Sequence, residues 1–469
     1  MNFKKKNLMK NRIFVSAFLF LLLWGRTFLP AQNTQTIESV LIQVGNLLAE
    51  LRFDEAIALF DVIPSPERDT SDFRLLRASI LSSAGRYEEA LAVAEAVSRA
   101  EPGNDEAMYV ISAIEGAMGR TGQQQSQLEA LLRTNPNNID ALIELGKLHP
   151  RTRPRSLESA EANFRRAHSI DRTNVEALLG LGQVLRLKGE WSESESFFNE
   201  AISLYPEHPD AWAERARLYR NAEFLVNALF DLDMAARLDP RNYWISIERG
   251  TLLLEMNRRP QALEEFDRAV SINPEESQAY IYTSALKDEL GDLEGAKNDY
   301  AMLARLRPDY FYAFEGLGLH MMRTGHWEEA RDAFMEAYAR APDDHFYALL
   351  ASICWMRVQM AGPRQFLTQV MPRLVLDSPE RQMFRLFHDL SAMSNPGERD
   401  MTIRLDRMPD QILKARLLFY MAQFYEIRGT INLANRYYLM IYEMEDRMRA
   451  IPEWRLIEWT LRSRNLIPR

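Results

Sequence analysis

The chain of 469 residues contains a single cysteine, Cys354. One cysteine excludes an intramolecular disulfide, a CxxC redox pair and a zinc site built from thiolates, so packing has to supply the stability. Because it lies in an apolar stretch, we expect Cys354 to be a small core residue. Nucleotide-binding glycine motifs and the HExxH motif are also missing, and the seven histidines do not follow metal-ligand spacing. The sequence therefore predicts no catalytic site, metal or cofactor, and we expect the protein not to be an enzyme.

Positive charge is scarce outside the first 31 residues. The formal net charge of the chain is -9, and residues 1–31 hold six basic and no acidic side chains, so the remainder stands at -15. A surface that is negative on balance repels phosphate backbones, which argues against nucleic acid as a partner. The contents of 47% apolar and 26% charged residues are ordinary for a folded soluble protein.

The N-terminus has the layout of an export signal. Five basic residues between positions 4 and 12 precede an apolar run over residues 13–24. Twelve apolar residues are fewer than the roughly 20 that a membrane span needs. We therefore expect residues 1–31 to be a signal peptide that is cleaved, which places the protein in the periplasm or cell envelope. The alternative is that residues 13–24 remain as an anchor in the inner membrane, which would be the membrane contact of the chain.

Prolines recur along the chain at a spacing of 34 residues, with one gap of 70. They are Pro102, Pro136, Pro206, Pro240, Pro274, Pro308 and Pro342. A fixed period of this length indicates stacked supersecondary units, and a proline that cannot donate a backbone hydrogen bond ends the second helix of each unit. With this proline as position 32, ten units begin at residues 37, 71, 105, 139, 175, 209, 243, 277, 311 and 345.

Two columns of this frame hold small side chains, and a third holds large ones. Position 20 is alanine in most units, position 8 is often glycine, as in Gly182 and Gly318, and position 24 is aromatic, as in Phe198 and Phe334. Antiparallel helices approach closely only where no bulky group intervenes, so the small columns mark the crossing point of a helical hairpin. Glycine also recurs where the first helix would end, at Gly85, Gly119, Gly189, Gly291 and Gly325.

These columns resemble the pattern of the tetratricopeptide repeat (TPR). The ninth unit matches it at Phe314, Leu317, Gly318, Met321, Ala330, Phe334, Ala337 and Pro342. The resemblance covers residues 37–374 and implies an all-α fold, a right-handed α-solenoid of antiparallel helix pairs. It departs at Gln124 in unit three, at an insertion around residues 150–154 in unit four, and in unit ten, which lacks most second-helix markers.

Residues after the tenth unit predict further helices. Residues 375–448 read as degenerate hairpins, with a turn at residues 395–397, and Gly429, Ala434 and Tyr438 fit positions 15, 20 and 24 of a unit starting at residue 415. Residues 449–469 are expected to form a capping helix, because the end of a solenoid would otherwise expose its last apolar face.

The resemblance also implies that positions 2, 5, 9, 12 and 13 of the first helices face a concave groove. In units four to six these columns hold the cations Lys147, Arg151, Arg186, Arg217 and Arg220. Since the arginine fork bonds both oxygens of a carboxylate, these cations are a candidate anion-binding stripe. The alternative is that they pair with the acids at position 2 of the same units, Asp140, Glu176 and Asp210.

In units seven to ten the groove columns are apolar or aromatic. They hold Trp244, Ile247, Ile281, Tyr312 and Phe346, beside Glu255, Asp288 and Glu289. Aromatic side chains on a concave surface are typical interaction anchors, although they also pack against neighbouring helices. Position 5 is never lysine, so the carboxylate clamp of the chaperone-binding TPR proteins is absent.

The predicted function is that of a bacterial cell-envelope scaffold, which binds a protein or peptide segment of a partner in its groove. The alternative is a periplasmic TPR component of a polysaccharide or protein export and assembly machine. An anionic polysaccharide is then the second class of ligand.

Overall fold

A computed structural model describes residues 31–469 except for residues 66, 149–153, 360, 391–395, 445–450 and 469. The described residues form helices joined by turns, and no strand occurs among them. They divide into two compact units, unit 1 up to Leu238 and unit 2 from Asp239. The predicted signal peptide lies, except for its last residue, outside this described part. None of the described helices combines the length and the apolar character that a membrane span requires.

Unit 1 is built from helices that pair in sequence order. They are α1 (Ala31–Ala49), α2 (Phe53–Phe60), α3 (Ser71–Ser83), α4 (Tyr87–Ala100), α5 (Asp105–Ala117), α6 (Thr121–Thr134), α7 (Ile139–Leu148), α8 (Pro154–Ile170), α9 (Val175–Lys188), α10 (Trp191–Leu204), α11 (Pro209–Asn221) and α12 (Leu225–Leu238). From α3 to α11, each odd-numbered helix begins at the residue where the 34-residue frame begins a unit. Consecutive helices pack against one another, so each hairpin covers the apolar face of its neighbour.

The helix ends follow local signals in the sequence. The side chains of Asn104 and Asn174 cap α5 and α9 by accepting a hydrogen bond from a backbone N–H in the first turn. Gly189, with a φ of 81°, ends α9 in the left-handed conformation that glycine adopts without a steric penalty. The equivalent turns have a positive φ at Leu51 and Glu223, where the sequence offers no glycine. The packing of the hairpins therefore imposes this conformation on residues that disfavour it.

The hairpins cross where a glycine of the first helix meets an aromatic ring of the second. A Cβ added to Gly182 would lie 2.4 Å from the ring of Phe198, which is fully buried. The Ser194 hydroxyl donates a 2.7 Å hydrogen bond to the carbonyl oxygen of Gly182, so serine satisfies its hydroxyl at this alanine position. In the third repeat, the longer Gln124 can stand at this alanine position because it lies against Gly116, which has no side chain. Small side chains thus set the distance between paired helices.

Unit 2 continues the same arrangement. Its helices are α13 (Tyr243–Glu255), α14 (Arg259–Ile272), α15 (Ser277–Leu290), α16 (Leu293–Leu306), α17 (Phe311–Thr324), α18 (Trp327–Arg340), α19 (Phe346–Val358), α20 (Arg364–Val370), α21 (Pro379–His388), α22 (Pro396–Asp406), α23 (Gln411–Ile427), α24 (Ile431–Tyr442) and α25 (Trp454–Ser463). Helices α13, α15 and α17 begin at frame starts, and α19 begins one residue after one. Helix α20, the second helix of the degenerate tenth unit, has only seven residues.

The helices after α20 pack around the largest buried cluster of unit 2. Gly429 follows α23 with a φ of 77°, and both Ala434 and Tyr438 on α24 are fully buried. Gly429 therefore lies in a hairpin turn, Ala434 at a helix crossing and Tyr438 in the core, as in the other repeats. The turn expected at residues 395–397 overlaps the start of α22, and residue 395 lies outside the described residues.

The C-terminal helix α25 contacts helices that are distant from one another in sequence. It packs on α24, its neighbour in the chain, and also on α17. Leu456, Ile457 and Leu461 are buried by these contacts. The sequence predicted a cap over the last hairpin alone, because an amphipathic pattern shows which face of a helix is buried but not which helices bury it.

Candidate partner-binding surfaces

The first cation of the predicted stripe is held by carboxylates. Lys147 Nζ lies 2.8 Å from a carboxylate oxygen of Glu144 on the same helix and 2.6 Å from one of Glu176 on α9. The second contact is one of the pairings that the sequence offered as an alternative to anion binding. It joins the first helices of consecutive hairpins, so Lys147 supports the packing of one repeat on the next.

The arginines of the stripe face a carboxylate that the sequence columns did not include. Arg186 lies 3.8 Å from Glu214, and Arg217 pairs with the same carboxylate within α11. Arg220 is half-buried near the end of α11, and Arg151 lies outside the described residues. A shared carboxylate leaves less positive charge for an external anion than the sequence alone suggested.

Two acidic groups next to the stripe have raised pKa values. Burial, followed by repulsion from Asp140, raises the pKa of Glu106 on α5 to about 7. Burial, then the charges of Glu176 and Glu144, raises the pKa of Asp140. This surface of α5, α7 and α9 therefore mixes bases with crowded acids, which favours internal pairing over a purely positive stripe.

Three of the five groove residues predicted for unit 2 differ sharply in exposure. Trp244, at the start of α13, is 39% exposed and touches the ring of Tyr243 edge-on at 5.1 Å. Ile247 is only 3% exposed, so it belongs to the packing between helices. Phe346 stacks on Tyr420 of α23 with ring centroids 5.2 Å apart and planes 8° from parallel. Of these three, only Trp244 offers a large accessible surface.

The other two predicted residues, Ile281 and Tyr312, line one cavity of about 250 Å³. Its walls come from α15, α16 and α17 and from the segment that enters α25. We call the cavity-lining residues at predicted groove positions of α15 and α17 the inner face. They are Ile281, Ala285, Asp288, Tyr312, Glu315, Leu319 and Arg323. Tyr312 is 52% exposed, so the inner face has an aromatic side chain open to solvent at its edge.

A buried ion cluster lies at the centre of the inner face. One carboxylate oxygen of Asp288 lies 2.7 Å from His320 Nδ1 and 2.6 Å from the guanidinium of Arg323. All three side chains are less than a tenth exposed. The geometry suits an arginine that compensates a buried carboxylate while the histidine packs beside it. Within the described part of the chain, no group of three histidine, cysteine or acidic side chains could hold a metal ion.

The neighbouring acid of the inner face is also buried. Glu315 Oε1 accepts a 2.9 Å hydrogen bond from the hydroxyl of Tyr347 on α19. Burial is the largest of the effects that raise the pKa of Glu315 to about 7. An acid that titrates near neutral pH makes the charge of the inner face depend on pH.

A second cavity, of about 370 Å³, lies beside Phe346. The guanidinium of Arg416 lies over the Phe346 ring, 4.1 Å from its centroid, and contributes to the cavity wall together with Arg373 and Phe384. Phe346 therefore acts as a packed wall of this cavity and not as an open contact residue.

The thiol of the one cysteine is enclosed. Cys354 is fully buried, and burial raises the pKa of its thiol far above the ordinary range. A buried protonated thiol is a core group without nucleophilic reactivity. This placement agrees with the expectation from the sequence that Cys354 packs in the core.

The sequence missed the contribution of the C-terminal segment to the inner face. Arg455 Nη1 donates a 2.9 Å hydrogen bond to the carbonyl oxygen of Ala285 on α15, and Glu453 is fully buried beside Tyr420. The apolar pattern around Trp454 predicted the helix itself. No signal in the sequence connected these residues to helices some 130 to 170 positions earlier.

Comparison with known proteins places repeats in both units. Residues 155–218 and residues 286–345 each match a family model described as the tetratricopeptide repeat. Superkiller complex protein 3 of Homo sapiens is 32% identical over 115 residues, which cover 24% of this chain and 7% of that protein. Protein O-mannosyl-transferase TMTC1 of Homo sapiens is 26% identical over 156 residues, which cover 32% of this chain and 18% of that protein.

Solved structures include a tetratricopeptide repeat protein from Parabacteroides merdae, with a TM-score of 0.42 and 19% identity. That match covers 54% of this chain and 99% of the solved chain. Within the described residues the helices pair in sequence order, and both units contain a segment that matches the repeat models. The chain therefore contains tetratricopeptide repeats, and its fold is an all-α TPR solenoid.

Proposed function

We propose that this protein is a non-catalytic scaffold that binds a segment of a partner protein at the inner face of unit 2. The observation that supports the proposal is the 52% exposure of Tyr312 at the rim of a cavity that Ile281 also lines. A tyrosine in this setting offers a large apolar contact area and a hydroxyl that can bond to a peptide backbone. Partly exposed aromatic side chains next to a pocket are the usual anchors of protein interfaces.

A protein segment fits the inner face better than an anionic polysaccharide does. The inner face combines Tyr312 and Ile281 with Glu315 and with Asp288, whose charge Arg323 compensates. In unit 1, Lys147 already faces two carboxylates. Polyanions need cations that are open to them, whereas an apolar surface with an exposed tyrosine suits a segment that carries apolar side chains.

Site-specific photocrosslinking in intact cells tests the binding function. A photoreactive amino acid at position 312 is expected to give a defined crosslinked product with a partner protein. The matched control is the same amino acid at Val226, which is 72% exposed on α12, away from the first helices of the hairpins. Identical products from both positions, or no product at position 312, would count against the proposal.

We further propose that the scaffold works in the cell envelope, as the basic and apolar residues 4–24 suggest. The intact mass of the chain, isolated from separated cell fractions, tests this location. A periplasmic chain that lacks about the first 31 residues supports cleavage, and a full-length chain in the inner membrane supports the anchor. A full-length chain confined to the cytoplasm contradicts both.

A further inference from the structure

A basic side chain of the C-terminal helix lies on the inner face. Arg455 donates a 2.9 Å hydrogen bond to the backbone of Ala285, and its guanidinium lies 4.0 Å from Asp288 and 3.9 Å from Glu289. The neighbouring residues that complete this wall of the cavity are Pro452 and Leu456. Ala285, Asp288 and Glu289 are positions 9, 12 and 13 of their repeat. Arg455 of the chain itself thus contacts residues at three of the groove positions where a partner is expected to bind.

A carboxylate two residues earlier anchors the same segment. Glu453 is fully buried, and its Oε1 accepts hydrogen bonds from the Tyr420 hydroxyl at 3.0 Å and from Arg416 Nε at 3.2 Å. Arg416 is itself only 14% exposed and also lies 3.6 Å from Asp344. Two donors from α23 therefore fix the start of α25 at the edge of the inner face.

We propose that residues 452–463 are an internal ligand of the inner face, and that an external partner binds there by displacing them. The part that concerns the external partner rests on the scaffold function proposed above. The first residues of the internal ligand form one wall of the cavity that Tyr312 and Ile281 line. Binding of a partner is therefore coupled to release of α25, and the two compete for one surface.

The internal ligand defines the chemistry of the partner. A displaced Glu453 leaves Arg416 buried with less compensation for its charge, which is unfavourable unless another carboxylate takes that place. Arg455 and Leu456 in turn match the acidic and apolar parts of the inner face. The partner segment is therefore an amphipathic helix with an acidic residue, a basic residue two positions later and an apolar residue directly after it.

The contacts of Arg455 are suited to exchange. Its side chain is 45% exposed, and both of its ion pairs are about 4 Å long. Exposed ion pairs at this distance add little to stability. Trp459, on the same helix, is 43% exposed, so its side chain is not fully buried by the docking of α25. An external helix that fills more of the cavity therefore buries more apolar surface there than α25 does.

A synthetic peptide of residues 449–467 with a fluorescent label tests the proposal on the full-length chain. Arg455→Glu brings a negative charge next to Asp288 and Glu289 but leaves the buried Leu456, Ile457 and Leu461 in place, so this variant is expected to weaken the docking of α25 and bind the peptide a few-fold more tightly than the wild type. Arg462→Glu is the matched control, because it makes the same charge change on the same helix. Among the contacts described, Arg462 forms an ion pair only with Glu458, one turn away. A folded Arg455→Glu variant that binds no better than the control overturns the proposal.

A second measurement requires no variant. In wild-type protein labelled with ¹⁵N, excess unlabelled peptide should increase hydrogen exchange of the amides in residues 453–463, and the Arg455→Glu peptide should not. Unchanged exchange at saturating peptide overturns the internal-ligand proposal even if Arg455→Glu fails to fold. A chain that binds the peptide but yields no crosslinked partner from position 312 refutes the scaffold function alone.

Discussion

The close contact of Gly250 with Phe266 makes Gly250→Ala a quantitative test of how the hairpins pack. Gly250 lies inside α13, and a Cβ at this position would be 2.6 Å from a ring carbon of Phe266. The ring cannot move away easily, because it is fully buried and stacks on Tyr282 of the next repeat at 4.3 Å between centroids. The added methyl group therefore has to push α13 and α14 apart or displace the stacked rings.

Two opposing effects set the expected magnitude. Overpacking a well-filled core costs about 1–3 kcal/mol. Replacing glycine by alanine inside a helix contributes about 1 kcal/mol in the opposite direction. Since the contact is closer than an ordinary carbon–carbon contact by about 1 Å, the steric cost belongs in the upper part of its range, about 2–3 kcal/mol, and the variant is expected to lose about 1–2 kcal/mol of stability in total.

Urea unfolding followed by circular dichroism, with hydrogen exchange to locate the change in α13–α16, measures this loss. The control is Gly122→Ala in α6, where an added Cβ meets nothing within 4 Å and a gain of up to about 1 kcal/mol is expected. Combining Gly250→Ala with Phe266→Leu should relieve the overlap, so the double variant should lose less than the sum of the single losses. A Gly250→Ala protein as stable as the wild type, or strictly additive losses, would refute the reasoning.

Two further predictions concern the backbone and the buried acid. Glu223 is exposed and has a φ of 64°, so replacing it by glycine should raise the stability by about 0.5–1 kcal/mol. The same change at Asn257, with a φ of 59°, should raise it less, because asparagine tolerates this conformation. Thermal unfolding measures both gains, and equal or absent gains contradict the prediction. Glu315 has a pKa raised from 4.5 to about 7 in the folded chain, so the folded state binds more protons and stability falls as pH rises between these values. Glu315→Gln should therefore gain about 3 kcal/mol relative to wild type between pH 4.5 and pH 8, and a pH-independent difference in urea unfolding would contradict it.

Much of the helical architecture is encoded in local spacing. The prolines fix where second helices end, and Gly189 or Asn174 mark the ends of α9, so the frame starts coincide with helix starts such as Asp105 and Val175. The positive φ at Glu223 has no local signal, because the packed hairpin and not the residue type determines it. For the same reason, the length of α20 could not be read from a unit that had lost its marker residues.

The candidate surfaces were less predictable, because they depend on which side chains meet. The pairing of Lys147 with Glu176 follows from neighbouring columns of the frame, whereas Glu214 lies outside those columns and still faces Arg186. Burial separated two apolar groove candidates that look alike in sequence, since Ile247 is packed and Ile281 lines a cavity. The position of α25 depends on contacts more than a hundred residues away, which no local pattern encodes.

The docking of α25 on α15 and α17 has a consequence for the order of folding. Most contacts in the hairpins are local, as between Ser194 and Gly182, and such contacts form quickly and during synthesis. The hydrogen bond between Arg455 and Ala285 instead joins residues 170 positions apart. The last residue of the inner face is Arg323, about 130 positions before Arg455, so this surface is complete while the residues that follow it are still being made or exported. A partner present at that moment meets the surface before its internal competitor exists.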